Sequence, residues 1–328
     1  MKQIVAVGPK QCVLKDLPDV VNTADELLIR TKYVGVCMSE HYAWETAKEG
    51  DLFGHEPLGI IEAIGENVKD LGYKVGDVVS GMWGSSMPGA GGMVEFATAD
   101  PRRNTILVLP AHVRAEDLVL EPLSCLVSAV SKAKVDMPGM KVAVVGCGYM
   151  GCGAISLLKL RGAHVTAVDI RPESLANAAK YGADVTLLAD EAIAKWVNGN
   201  ETGFEVVMEW GETSESLDLA IHMTKMLGQL CVGAYHTGGK RLVDMELLNV
   251  RSIDCLSVHP RDWERSVRGA EQALEMLSNG TWKFADVPTK IYPRTQFDRA
   301  QAELETKFGH YMKALVDMTA DDFEPYII

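Results

Sequence analysis

No run of eighteen apolar residues occurs in this 328-residue chain, so it offers no candidate for a membrane-spanning helix. Positive charge is also short: 32 Lys and Arg stand against 45 Asp and Glu, a formal net charge of −13. With no basic stripe to offset that balance, nucleic acid and anionic membrane surfaces are excluded as expected partners. The seven cysteines are odd in number and never spaced as C-x-x-C. That rules against a disulfide framework and against a closed metal site of paired thiolates, and it points to reduced thiols in a cytoplasm. No internal repeat or low-complexity tract is present, and the opening MKQIVAVGPK is too soon interrupted to read as a signal peptide. What remains is an ordinary globular composition, 47% hydrophobic and 23% charged, long enough for two domains with separate cores.

The most informative stretch is VAVVGCGYMGCGAISLLKLRGAHVTAVD, residues 142–169. The β-branched run Val142–Val145 feeds into Gly146-x-Gly148-x-x-Gly151, an apolar helix follows, and the strand Val165–Val168 ends on Asp169. A lone G-x-G-x-x-G is weak, but strand, helix and acid in this order make a dinucleotide fingerprint. Gly146 allows the tight turn, Gly148 lets backbone N–H groups approach a pyrophosphate, and Gly151 lets the helix pack on the strand. The helix N-terminus adds a positive field. Asp169 is expected to accept from both ribose hydroxyls and to repel a 2′-phosphate, favouring NAD over NADP, with Arg171 close enough to soften that choice. The expected cofactor-binding set is Gly146, Gly148, Tyr149, Met150, Gly151, Asp169, Ile170 and Arg171, with Val232 and Gly233 at the end of a later strand.

Around this core the chain alternates β and α. Strands are expected at 164–168, 184–188, 205–208, 228–233 and 252–257, with helices at 151–161, 173–181, 190–197 and 214–226 between them, which makes a six-stranded parallel sheet. The preceding residues are β-rich with frequent Gly, Pro and Asp, as in a barrel-like domain. Helical periodicity at 117–134 marks the crossing. After Pro260 the βαβ rhythm ceases: a helix at 262–279, a strand at 289–292, a helix at 297–307 and a strand at 313–316 are assigned back to the first domain. The expected division is 1–120 and 259–328 for the β-rich domain and 121–258 for the nucleotide domain.

Three short motifs in the β-rich part carry metal-ligand chemistry: Gly35-Val36-Cys37-Met38-Ser39-Glu40-His41, Gly54-His55-Glu56-Pro57 and Glu121-Pro122-Leu123-Ser124-Cys125. A thiolate, an imidazole and a carboxylate from separate segments, with a fourth position open, suit catalytic zinc. Singly, each residue has a plainer reading. Cys37 reads as a buried core thiol, His55 as a turn histidine and Glu121-Pro122 as a helix first turn. Jointly, beside a nucleotide fold, they read as a metal site.

With these motifs in this order the chain resembles the zinc-dependent medium-chain dehydrogenase family of the alcohol dehydrogenase superfamily, closest in style to its sorbitol and threonine dehydrogenase branch. Glu121 stands 25 residues before Gly146, the interval at which that family places its third metal-ligand position. The resemblance implies an α/β chain: a GroES-like β-rich catalytic domain plus a Rossmann doubly wound parallel six-stranded sheet. It implies Cys37 and His55 as zinc ligands with Glu121 at the third position. In that branch this Glu can act through the metal-bound water while Glu56 ligates instead, so both carboxylates count as metal-site residues and Glu56 also among the catalytic ones. Ser39 matches the hydroxyl that starts a proton relay. The family's His five residues after the Cys is replaced here by Tyr42, with His41 one earlier, so either residue can take the second step. The missing cysteines in 57–120, where Gly81–Gly92 forms a Gly/Met/Ser stretch, imply one zinc per chain and no structural zinc. Trp44, Phe53 and Trp83 read as cleft lining or as core, and Tyr235-His236 as a substrate contact or a plain loop.

The activity implied is hydride transfer between a secondary alcohol, of polyol, sugar or hydroxy-amino-acid type, and NAD. The implied assembly is a homodimer or homotetramer, with an alcohol or ketone as the only other partner. The rival readings are a zinc-free quinone or enoyl reductase of the same superfamily, a catalytically silent nucleotide-binding sensor, and a hydrolytic zinc protein.

Overall fold

The structure is a computed structural model that describes residues 1–83, 92–306 and 310–328. Most of the Gly/Met/Ser stretch at 81–92, and residue 307 at the end of an expected helix, lie outside the described residues. The chain divides into two compact units, Met1–Leu123 with Ala285–Ile328, and Ser124–Phe284.

In the second unit six parallel strands run in the order Val185–Leu188, His164–Asp169, Lys141–Val145, Phe204–Glu209, Thr224–Val232, Asp254–Ser257. The order reverses between Lys141–Val145 and Phe204–Glu209, the switch point at whose carboxyl edge such sheets take their ligands. The central strands Lys141–Val145 and Phe204–Glu209 are mostly apolar and buried, as parallel strands covered on both faces are. Ala143, Val168, Val207 and Leu230 are buried in one core with Trp196. The expected helix at 214–226 stops at Met223. There the Thr224 hydroxyl donates back to the Ala220 carbonyl at 2.7 Å and the chain turns extended. The expected helix at 190–197 is a short α-helix, Ala189–Ala192, running into a π-turn, Ile193–Val197.

The return to the first unit falls after Phe284 and not at residue 258. The helix Trp263–Ser278, capped by Asp262 accepting from Glu264 N–H at 3.0 Å, stays with the nucleotide sheet. The physical reason is aromatic. Trp282 and Phe284 are stacked 5.5 Å apart and fully buried, and Trp282 Nε1 donates to Ser156 Oγ at 2.6 Å on the helix Tyr149–Leu160. Gly153 on that helix leaves room for Phe284 and Leu126, which a Cβ would crowd to 3.2 and 2.3 Å.

The first unit holds an eight-stranded sheet. Its order is Tyr326–Ile327, Thr289–Pro293, Lys313–Asp317, Leu27–Val36, Pro57–Ile64, Val78–Met82, Thr105–Val108, with Phe96–Ala99 also on Leu27–Val36. A separate hairpin pairs Lys2–Gly8 with Gln11–Asp16. One core gathers Ile4, Val34, Trp44, Phe53, Tyr292 and Phe297; another gathers Leu27, Ile29, Ile61, Val79 and Trp83. Trp44, Phe53 and Trp83, each less than 5% exposed, are therefore core residues.

Candidate metal centre and dinucleotide cradle

Three strand ends converge in the first unit. In the antiparallel ladders Val36 pairs with Ala314 and Val34 with Pro57, and Gly35 N–H donates to the Glu56 carbonyl at 2.9 Å. Continuing those registers by one residue sets Cys37, just past its strand, beside Lys313 at the start of its own and beside His55-Glu56 leading into Pro57. A Cβ on Gly35 would come within 1.7 Å of Glu56 Oε2, so glycine there makes room for the carboxylate.

One ligand atom from each of Cys37, His55 and Glu56 lies within 4.8 Å of the others. His55 and Glu56 are buried, at 5% and 1% exposure. Ser39, in the turn Met38–Glu40, donates from Oγ to Cys37 Sγ at 3.2 Å. Glu121 sits in the first turn of the helix Leu120–Ser131 and does not join the three-membered group, though its charge is felt at Lys313. Tyr42 is exposed, while His41 is buried.

Two partners were not legible in the sequence. Glu40, fully buried, accepts from Gly54 N–H at 2.8 Å and places Oε1 3.1 Å from His55 Nδ1. That second contact is an ion-pair approach whose angle is poor for a hydrogen bond. A carboxylate behind the outer nitrogen orients a metal-binding imidazole and raises its basicity. Lys313 pairs with Glu56 Oε2, and both are buried.

The electrostatics of the site call for positive charge. Burial works against a charged His55, yet Cys37 and Glu40 outweigh it and push its pKa well up. Burial likewise opposes a charged Glu56, but Lys313 beside it holds the carboxyl below its usual range. Lys313 is held above its usual range by Glu56, with Cys37 and Glu121 adding to the effect against burial. Glu56 Oε1 is buried and has no hydrogen-bond partner. A thiol, an imidazole and an orphaned carboxylate oxygen gathered at one point fit a zinc ion.

The second unit supplies the cradle. Gly146 has φ +89°, and a Cβ there would press on the Trp210 carbonyl carbon at 2.7 Å. At Gly151 a Cβ would meet the Gly146 carbonyl oxygen at 1.9 Å, so helix-to-strand contact demands glycine. Gly148 differs. Its φ of −73° is ordinary and a Cβ there would meet nothing within 4 Å. The folded chain does not itself need glycine at 148, which is what a backbone kept bare for an approaching phosphate looks like. Tyr149 and Met150 open the helix at this point.

Asp169 ends its strand almost buried, with Oδ2 accepting from Cys147 N–H at 2.7 Å and Oδ1 from Arg171 N–H at 2.9 Å. It therefore braces the fingerprint turn. Arg171 Nε lies 3.7 Å from Oδ1, and Ile170 is exposed. Val232 ends the fifth strand, and Gly233 N–H donates to the Glu209 carbonyl at 2.9 Å. Tyr235 is exposed, whereas His236 bonds through Nε2 to the fully buried Glu209 Oε2 at 2.9 Å. His236 therefore serves to hold its loop. Gly148→Ala is expected to change folding stability by under about 1 kcal/mol while weakening NAD binding about tenfold. Gly151→Ala should lower stability by more than about 2 kcal/mol through overpacking. Urea unfolding and titration calorimetry on the two variants separate these outcomes.

Comparison with known proteins is consistent with both halves. Residues 23–110 match the family model described as the alcohol dehydrogenase GroES-like domain, and residues 150–278 match the one described as zinc-binding dehydrogenase. D-arabitol-phosphate dehydrogenase from Enterococcus avium is 25% identical, with 97% of each chain covered. Sorbitol dehydrogenase from Rattus norvegicus is 26% identical, covering 98% of this chain and 97% of its own. Among solved structures, acetophenone reductase from Geotrichum candidum in complex with NAD superposes with a TM-score of 0.80 at 20% identity, with 96% of each chain covered. That last likeness is one of fold.

Proposed function

The chain belongs to the zinc-dependent medium-chain dehydrogenase family, and on that premise we propose that it passes a hydride between a secondary alcohol and NAD. The observation that carries this reading is the convergence of Cys37, His55 and Glu56 ligand atoms within 4.8 Å beside Ser39, in a chain with a dinucleotide cradle. A zinc-free reductase has no use for that donor set, and a silent nucleotide-binding protein has no use for Ser39. Both stand as lesser readings.

Cys37 and His55 would hold one zinc, with Glu56 or Glu121 as the third donor. Bound there, zinc would supply the Lewis acidity that brings a coordinated hydroxyl's pKa down into the neutral range. Nicotinamide, when bound, accepts the hydride. The chain's own residues do the rest. Ser39 Oγ takes the substrate proton, and His41 or Tyr42 takes it onward. Glu40 fixes the His55 ring, and Lys313 holds Glu56 at the site. Gly146, Gly148, Gly151 and the first helical turn seat the pyrophosphate.

The substrate class proposed is a polyol or sugar alcohol. Its support is the Glu-bearing metal site together with relatives named for arabitol phosphate and sorbitol. We also read the chain as a homodimer or homotetramer. The edge strand Asp254–Ser257 supports this, because all four of its residues are exposed and its outer hydrogen-bonding edge is open in the sheet.

The test is direct. Purified protein should hold about one zinc per chain and reduce NAD⁺ with secondary polyols. Zinc content near zero, or no reduction across alcohols, polyols and amino alcohols, rejects the reading. Asp169→Ser should bring NADP affinity up towards that for NAD, together with some loss of stability from the released Cys147 N–H. A wild type that already prefers NADP contradicts this role for Asp169.

A further inference from the structure

We propose that Glu305 is the outlet of the proton relay, taking from His41 the proton that alcohol oxidation releases and handing it to solvent. This deepens the function proposed above and rests on it.

His41 begins the short helix His41–Glu45 and is 7% exposed. Its Nε2 lies 3.3 Å from Glu305 Oε1. The approach does not make a well-angled hydrogen bond, and Nδ1 is also buried without a partner. The ring packs against Trp44 at 5.3 Å, and Trp44 Nε1 donates to Asp298 Oδ1 at 2.7 Å. Asp298 and Glu305 belong to the same helix, Phe297–Thr306. One helix therefore fixes the wall behind His41 and supplies the carboxylate in front of it.

Two carboxylates face the imidazole. Glu45 Oε1 is 3.9 Å away and already bound to Lys10 Nζ at 2.5 Å, which holds that carboxyl below its usual range. The Glu305 side chain is 65% exposed, and among the described residues its ion pairing is with His41. Lys10 also explains why the group reads as a proton path and not as a second metal site, although His41, Glu45 and Glu305 stand close enough to hold an ion.

Of the two residues that could follow Ser39, Tyr42 is exposed while His41 is buried, with Nδ1 lacking a hydrogen-bond partner and Nε2 against an exposed carboxylate. That arrangement is a shuttle: one proton enters at Nδ1 and one leaves from Nε2 to Glu305 Oε1, from which water removes it. One proton leaves for each hydride transferred, and ketone reduction runs the path backwards. Glu305 acts through His41, so it is a positioning residue.

Glu305→Gln keeps the shape and removes the base. In weakly buffered solution it should slow NAD⁺ reduction about tenfold and enlarge the solvent deuterium isotope effect. Added imidazole should restore most of the rate, and Glu305→Asp should retain part of it. Zinc content and NAD affinity should match wild type, and Glu45→Gln should leave the rate unchanged. The proposal is overturned if Glu305→Gln keeps the wild-type rate in weak buffer. It is also overturned if imidazole fails to restore a lost rate, or if Glu45→Gln carries the loss instead. A wild type that reduces no NAD⁺ with any alcohol removes the function itself; an active wild type matched by Glu305→Gln removes only the outlet.

Discussion

Cys37→Ser is expected to lower kcat/KM for alcohol oxidation by about three orders of magnitude, because several kcal/mol of charge stabilisation go with the metal. Serine at neutral pH offers a neutral hydroxyl where zinc requires an anionic sulfur. The remaining His55 and Glu56 make an incomplete set. The measurements are zinc content, steady-state rates and NAD affinity on the same preparation. Zinc should fall well below one per chain while NAD binding stays unchanged, since the fingerprint glycines and Asp169 belong to the other compact unit. His55→Ala should act in the same direction and cost some stability, because Glu40 loses the imidazole beside its buried carboxylate. Wild-type turnover in Cys37→Ser would sink the metal assignment. Loss of NAD binding together with activity would show that the substitution had unfolded the chain.

Legibility in the sequence followed the range over which the deciding contacts act. The nucleotide sheet could be read because its strands Lys141–Val145 and His164–Asp169 are short, mostly apolar runs closed by Gly146 and Asp169, and Gly151 answers to the Gly146 carbonyl only five residues away. Cys37, Ser39, His55 and Glu56 were visible as residue types in short motifs. Glu40 and Lys313 were not. A glutamate beside a histidine reads as surface charge, and only the antiparallel registers of Ala314 with Val36 and Pro57 with Val34 bring Lys313 to Glu56. Register between strands so far apart leaves no local trace. The return point between the units was misplaced for a similar reason. The βαβ rhythm does end near Pro260, but Trp282 and Phe284 bury themselves against Ser156 and Tyr149, and burial decides membership. The exposed strand Gln11–Asp16 and the short helix Met245–Val250 lack an apolar face strong enough to announce them.

Lys313→Met is the sharpest test of how the chain manages Glu56. In zinc-stripped protein the variant should lose about 3–5 kcal/mol, the usual consequence of leaving one member of a buried ion pair alone. In zinc-loaded protein the loss should be clearly smaller, because the cation at the site offers the same carboxylate another positive partner. The pH dependence has a definite sign. Lys313 holds Glu56 below its usual range, so the pair's contribution from this side is present above the unfolded Glu value, about 4.3, and fades as pH falls through the lower folded value. From the lysine side, Glu56 holds Lys313 above its usual range, so that contribution is present below about 10.4 and fades as pH rises through the higher folded value. In the stripped variant the sign for Glu56 reverses, since an unpaired buried carboxyl favours its protonated form. The gap between wild type and variant, read from urea unfolding, should therefore narrow as pH is lowered from about 7 towards about 4. Equal losses with and without zinc would mean that Glu56 never exchanges its lysine for the metal. The third-ligand role would then fall to Glu121, and Lys313–Glu56 would be a brace for the strand ends that carry Cys37 and His55.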